Sequence, residues 1–490
     1  MPQNYPIPSR LCYNGVGDRF TAPISETVIL ARCDVICARR RDAVMGDRRK
    51  ERKMTPRTAG FWITAALSVF ATTTARATWS IIITDSRTKE VAIGSATCLE
   101  NFDLQRFLPV VKPLVGAAAA QSFVDSTGRN RRLIWDEMEI GTDPVVILEL
   151  LEAQDSSHQT RQYGIVDTLG RAASFSGSQN GAYKNDLTGK IGTLTYSIQG
   201  NVITGQPVLD AAEDAVLNTP GGLPEKLMAA MEAARAMGGD GRCSCTTGPP
   251  NGCGSPPPSF EKAAHVGFVI VARRGDRHGR CLLSKGCATA DYYLELNVRN
   301  TTASDPDPVL TLRADFDAWR AALIGVADAI ESTATMSHDR ILNDGQTTVT
   351  MTLSFVDWQG TPVTSIPDLI IDHDPRGSAG SSTIGTPVDM GGGVWQVELT
   401  DATTNGLDRF RVRIPYTDRD VILMPSPQLA VQDARADLNG DGVVDLADLQ
   451  ILLASFEGDA AGDIDGDGDT DLTDLALLLA VPGLTGPSGT

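Results

Sequence analysis

Two acidic twelve-residue loops near the C-terminus constrain this chain more than any other feature. Asp437-Leu-Asn439-Gly-Asp441-Gly442-Val443-Val-Asp445-Leu-Ala-Asp448 recurs twenty-six residues on as Asp463-Ile-Asp465-Gly-Asp467-Gly468-Asp469-Thr-Asp471-Leu-Thr-Asp474, and a leucine-rich run follows each loop. Side-chain oxygens fall at loop positions 1, 3, 5, 9 and 12, with glycine at position 6 where the backbone must turn sharply. Position 7 offers a backbone carbonyl, from Val443 and Asp469. Such a donor set suits a hard cation of high coordination number, so calcium is the expected cofactor. From Asp437 onward there are twelve Asp/Glu and no Lys or Arg, about two-thirds of the net charge of −18. Carboxylates packed this closely repel one another, so folding of this tail should depend on calcium. The acidity also argues against a nucleic-acid partner.

A second signal lies upstream. Arg57, the short apolar run of residues 59–70 and Ala75-Arg76-Ala77 have the layout of a secretory signal with a small-x-small cleavage site. The run is too short for a comfortable membrane span, so none is expected in the mature chain. Residues 54–77 are read as the signal peptide, with Met54 as the natural start. Residues 1–53 then read as an over-long gene start, or as a disordered extension. The expected location is secreted, extracellular or periplasmic. Three of the nine Cys lie before Met54 (Cys12, Cys33, Cys37), leaving six in the mature chain. An even number in an exported chain suits disulfides, and Cys98 reads as a disulfide partner rather than a nucleophile. Cys243-Ser-Cys245 with Cys253 reads as a stapled loop more than a zinc knuckle, since no His lies within the cluster. Cleavage after Ala77 exposes Thr78, whose hydroxyl can act as nucleophile and whose own α-amine, titrating near neutrality, can act as base.

Strands and helices come in separated runs, which indicates an α+β fold. Residues 79–84 and 91–97 read as paired strands, 115–121 as a strand of small residues, and 162–167 with 172–175 as a hairpin. Residues 194–199 and 265–272 read as further strands. Helices are expected over 143–153, with Asp143 as N-cap and Pro144 at the first position, and over 206–217 and 223–237. This domain is bounded at 78–300. Residues 301–336 read as a helical linker and 337–424 as a small β-sandwich, where polar and apolar residues alternate between Gly/Pro turns. Residues 425–435 form a linker, 436–480 the paired loops and 481–490 a tail.

Three resemblances sharpen this outline. The loops, with Asp at position 12 and one helix after each, resemble dockerin type I modules. That implies a cohesin-like protein partner, or a calcium-stabilised terminal domain without one. Asp344-Gly-Gln-Thr-Thr-Val-Thr-Met-Thr-Leu and Val356-Asp-Trp-Gln-Gly-Thr-Pro-Val363 resemble immunoglobulin-like repeats of the invasin type. The ordered set Thr78-Trp-Ser-Ile-Ile-Ile-Thr-Asp85, Val91-Ala-Ile-Gly-Ser-Ala-Thr97, Gly116-Ala-Ala-Ala-Ala-Gln121, Gln162-Tyr-Gly-Ile-Val-Asp167, Tyr196-Ser-Ile-Gln-Gly-Asn201 and Ala236-Met-Gly-Gly-Asp240 resembles domain-of-unknown-function family 1028. That family is considered related to N-terminal-nucleophile hydrolases, which implies an αββα sandwich and amide-bond hydrolysis of an unknown small-molecule or peptide substrate. The Cys-rich stretch 241–259 departs from the family, whose members run directly from the Gly-Gly-Asp turn into the next strand. Under this reading Thr78 is the nucleophile. Gln121, Gln199 or Asn201 holds the developing oxyanion, Asp125 and Asp240 orient the amine, and Ser80 assists from the same strand face. Two rivals remain open here: a non-catalytic secreted binding or surface protein, and a component of a polysaccharide-degrading assembly docked through cohesin.

Overall fold

Alternation along the first strand sets the layering. In β1 (Thr78–Asp85) Trp79, Ile81 and Ile83 enter one apolar cluster, while Ile82 enters another on the opposite face. A strand apolar on both faces must be covered on both. The computed structural model describes residues 77–277, 279–400, 402–482 and 484. All described residues belong to one compact unit. The expected signal peptide up to Arg76, Cys12, Cys33, Cys37 and His278 fall outside them.

β1 is central in a six-stranded antiparallel sheet. With it run β2 (Val91–Thr97), β7 (Lys184–Ile191), β8 (Leu194–Asn201), β9 (Val266–Ala272) and β10 (Leu294–Val298), in the order β10-β9-β2-β1-β8-β7. A four-stranded antiparallel sheet, β3 (Pro109–Lys112), β4 (Gly116–Ser122), β5 (Arg161–Asp167) and β6 (Ala172–Ser176), stacks on it. Ile82, Ile93, Phe268 and Ile270 of the first sheet meet Val111, Ala117, Ala119 and Val166 of the second. The alanine run of β4 lets the sheets approach closely. Gly164 does the same in β5, where a Cβ would lie 2.2 Å from Gln199 Oε1.

Helices cover both outer faces. α1 (Leu104–Phe107) is a single turn before β3. α2 (Arg129–Glu139) and α3 (Pro144–Gln154) place Ile134, Met138, Ile147 and Leu151 on the four-stranded sheet. α4 (Pro207–Asn218) and α5 (Leu223–Ala236) cover the six-stranded sheet through Leu209, Leu227, Met228 and Met231. α6 (Gly241–Ser244) is one turn capped by Asp240. α7 (Pro308–Ala322), in the segment expected as a linker, buries Val309, Leu312 and Phe316 in the same outer layer. The mixed α+β content with several sheets follows the expected class. β3, β7, β10 and α2 were not anticipated. β7 is an edge strand of mainly polar, half-exposed residues, and α2 is so charged that Ile134 and Met138 are its only fully buried apolar residues.

Beyond α7, two sheets share one core. Thr333–Met336, Val349–Ser354, Thr383–Ile384, Val388–Gly391 and Val394–Thr400 form one; Arg340–Leu342, Ile370–His373, Gly406–Pro415, Asp420–Ile422 and Gln428–Gln432 form the other. Met351, Leu353 and Leu399 meet Phe410, Val412 and Val431 between them. The acidic tail follows with one helix after each loop, α8 (Leu446–Ser455) and α9 (Leu472–Leu479). Asp445 and Asp471 cap these helices, and Asp448 and Asp474 complete capping boxes. Gln432 seats the tail on the sandwich, donating to Val444 O at 3.1 Å and Pro482 O at 2.9 Å. Among the described residues no helix is long and apolar enough to cross a membrane.

A buried ionic cluster joins the first domain to the sandwich. Arg273 contacts Glu90 at 2.5 Å and Asp328 at 2.9 Å, with its guanidinium over the Tyr293 ring. Burial alone would raise the Asp328 carboxyl. Arg273 and the Ile330 and Glu331 N–H groups outweigh it and hold the group at about 2. A depressed carboxylate contributes stability above its unfolded pKa and loses it as pH falls through the folded one. Asp328→Asn should therefore lower stability by roughly 2 kcal/mol at pH 7. The difference from wild type should shrink between about pH 4 and pH 2, read from denaturant midpoints across pH; a constant difference over that window contradicts the assignment.

Candidate functional site

Thr78 sits where β1 begins, beside the ends of β2 and β8, with the second sheet facing it. It is 3% exposed and pairs in register with Asn201. Ser80, two residues on, shares its face and pairs with Gln199. A row of buried polar groups thus runs between the sheets where hydrocarbon would otherwise pack, and such groups must find partners.

Gln121, at the end of β4, connects much of this row. Its Nε2 donates to Thr78 O at 3.0 Å and to Gln162 Oε1 at 2.7 Å, and its Oε1 lies 2.5 Å from Ser80 Oγ. Ser80 Oγ is also 2.8 Å from Ser95 Oγ, which donates to Trp79 O. Gln162 Nε2 crosses back to Gly200 O at 3.0 Å. Asn201 Nδ2 donates to Ser122 Oγ at 3.3 Å. Gln199 lies further inside, taking a 3.0 Å bond from Ser197 Oγ, and its buried Nε2 has no hydrogen-bond partner among the described residues. The structure therefore brings Thr78, Ser80, Gln121, Gln199 and Asn201 into one seam, with Gln121 and Asn201 nearest the start of β1.

The other side of Thr78 is built by Asp240, which the sequence points to, and by Thr97 and Arg242, which it does not single out. Ala77 O accepts from Thr78 Oγ1 at 2.6 Å, from Thr97 Oγ1 and from Arg242 Nη2 at 3.1 Å. Fully buried Asp240 holds Arg242 through Nε at 3.1 Å and Nη2 at 2.7 Å, and accepts from Cys98 N at 2.6 Å. The Cys98–Cys243 disulfide ties this turn to the residue after β2. Cys245–Cys253 and Cys281–Cys287 complete the pairing of the six cysteines, and both sulfurs beside His265 are committed to a disulfide. Asp125 stands apart: burial would raise its carboxyl, but bonds from Thr127 and the Asn130 N–H lower it. His158 stacks on Phe175, away from this seam.

Two strained backbones flank the site. Ser122 (φ 70°) ends β4 and Val202 (φ 53°) follows Asn201. A left-handed β-branched residue is a steric outlier, and such strain concentrates at functional sites. Val202 is held by a 3.1 Å bond from Gly241 N to its carbonyl.

The acidic loops form separate sites. Asp437 and Asp463 each accept from two glycine N–H groups of their own loop, Gly440 and Gly442 or Gly466 and Gly468. Asp448 and Asp474 close the loops by accepting from Leu438, Asn439 and Asp445, or from Ile464, Asp465 and Asp471. Carboxylate oxygens of Asp463, Asp465 and Asp467 lie within 4.8 Å of one another, as do those of Asp469, Asp471 and Asp474. The neighbouring Asp467 charge pushes the Asp469 carboxyl up. These crowded oxygen donors fit a divalent hard cation.

No curated protein matches the chain. Among solved structures, protein SPO2555 from Silicibacter pomeroyi is 19% identical, with 49% of this chain and 88% of that chain covered and a TM-score of 0.36; it is described under DUF1028. Invasin, a bacterial integrin-binding protein, is 16% identical over 35% of this chain and 25% of its own, with a TM-score of 0.20. The adhesin InvE of Yersinia pseudotuberculosis is 19% identical over 21% and 27%, with a TM-score of 0.18. Residues 78–246 match the model of a family of unknown function, DUF1028.

Proposed function

We propose that residues 78–300 form an exported amide-bond hydrolase of the N-terminal-nucleophile type, made active by the cut after Ala77. The observation that carries this reading is the place of Thr78. It begins the central strand at the mouth of a buried polar seam, and the family match starts at the same residue. In the mature chain its hydroxyl attacks a substrate carbonyl while its freed α-amine accepts the proton. Gln121 fixes the strand end by binding Thr78 O, which keeps the nucleophile in position. Asp240 lies on the far side of Ala77, where it orients the groups around the new N-terminus. The substrate is a small molecule or peptide bearing an amide.

The acidic tail is read as a dockerin-like calcium module. Calcium would supply charge neutralisation, with the carboxylates of Asp437, Asp441, Asp445 and Asp448, and of Asp463, Asp465, Asp467, Asp471 and Asp474, as its holders. Asn439 adds an amide oxygen, and Val443 and Asp469 add carbonyls. A second reading, a secreted binding protein, draws on the same repeat. Leu446 and Leu472 are 64% and 70% exposed, and Leu453 and Leu479 are 55% and 57% exposed. Each pair is one repeat apart, so the tail presents a duplicated apolar patch to a cohesin-like partner.

N-terminal sequencing and intact mass of the secreted protein should give a chain beginning at Thr78, labelled there by an amine-tolerant electrophile, with labelling lost in Thr78→Ala. A start at Trp79, or a retained leader, would sink the hydrolase reading. Calcium chelation should lower the helical circular dichroism of the tail and its melting temperature, and readdition should restore both. A spectrum indifferent to chelation would remove the calcium assignment.

A further inference from the structure

The Ala77 carbonyl occupies a position with chemical meaning. It is an acyl oxygen that accepts a 2.6 Å hydrogen bond from Thr78 Oγ1, so it lies in contact with the hydroxyl that would attack. Once Thr78 is N-terminal, that place is open to the carbonyl oxygen of a substrate. Ala77 O thus stands in for the oxygen that becomes negative as Thr78 attacks. Its donors are Thr97 Oγ1 and Arg242 Nη2, the latter at 3.1 Å.

We propose that Thr97 and Arg242 form the oxyanion hole for acyl transfer at Thr78, which rests on the reading of Thr78 as nucleophile. Thr78 Oγ1 forms a bond to the acyl carbon, its proton passes to the α-amine, and the carbonyl π pair moves onto the oxygen held by Thr97 and Arg242. Collapse restores the carbonyl and breaks the C–N bond, and the leaving amine takes the proton from the ammonium. Water then hydrolyses the Thr78 ester by the same sequence.

Three observations favour these donors over the amides of the seam. Gln121 Nε2 is directed at Thr78 O and Gln162, Asn201 Nδ2 at Ser122, and Gln199 lies opposite Ser80, deeper between the sheets. Arg242 is fixed in advance, because Asp240 grips Nε and Nη2 while also binding Cys98 N. Thr97 and Arg242 each sit one residue from a half-cystine of the Cys98–Cys243 bridge, so the disulfide holds the two donors at one spacing. Donors aimed before reaction need no reorganisation as charge develops.

The test is acylation of the secreted protein by an alkyl β-lactone, followed by intact mass and by mapping of the adduct. Wild type should be acylated at Thr78. Arg242→Gln and Thr97→Val should each slow the maximal acylation rate by about a hundredfold or more while half-saturation moves little, as loss of one oxyanion donor does. Arg242→Lys and Thr97→Ser should recover part of that loss, which a purely structural role would not require. Should Arg242→Gln fail to fold, the Thr97→Val and Thr97→Ser pair decides. Wild-type labelling at Thr78 with Thr97→Val and Arg242→Gln within about twofold of it overturns the oxyanion assignment alone. No adduct at Thr78 in wild type overturns the nucleophile reading and this inference with it.

Discussion

One buried amide, that of Gln121, decides how the two sheets of the first domain meet. Apolar sheet faces pack without specifying register, because hydrophobic contact is non-directional. Gln121 supplies direction. Its two ends bind Thr78 and Ser80 of one sheet and Gln162 of its own, and Gln162 returns to Gly200 across the gap. A one-residue slip of either sheet would strand several of these groups without partners, at about 1–3 kcal/mol each. The small residues of β4 and Gly164 of β5 make room for that network. The polar seam therefore positions Thr78 and aligns the sheets through the same bonds.

The remaining architecture is joined to this domain by a few specific contacts. Arg273 fastens the sandwich to the edge of the first domain through Glu90 and Asp328, and Arg274 adds an ion pair with Asp374 at 2.6 Å. Gln432 and Leu342 then seat the acidic tail on the sandwich. A partner bound by the tail would thus carry the first domain on a packed support rather than on a loose tether. The Cys-rich stretch serves the site at its near end. Its first turn carries Arg242, while Ser255 closes its far end by bonding Met237 O at 2.9 Å.

Much of this was legible in the residues. Short apolar runs bounded by turn residues marked β1, β2, β5 and β8, and Asp143-Pro144 marked the start of α3, because local pattern and final environment agree there. Gln121, Gln199 and Asn201 stood out as polar residues at ends of apolar strands, and they lie in the seam. β7 and α2 were illegible because tertiary pairing, not their own composition, places them. Thr97 and Arg242 escaped for a different reason. Thr97 reads as an ordinary strand end, and Arg242 stands beside Cys243 in a Cys-rich turn where nothing in the local spacing marks it as a donor. Only the Asp240 cap and the Cys98–Cys243 pairing bring them to Ala77, and neither distance is encoded in local spacing.

The central claim is that Thr78 acts through its own free α-amine. The most direct measurement is the pH dependence of Thr78 acylation, compared between protein beginning at Thr78 and protein that retains Ala77. The account predicts a rate that rises through one titration near about pH 7–8 as the amine loses its proton, and no reaction when Ala77 blocks it. A rate equal in the two proteins, or flat across that range, would contradict it.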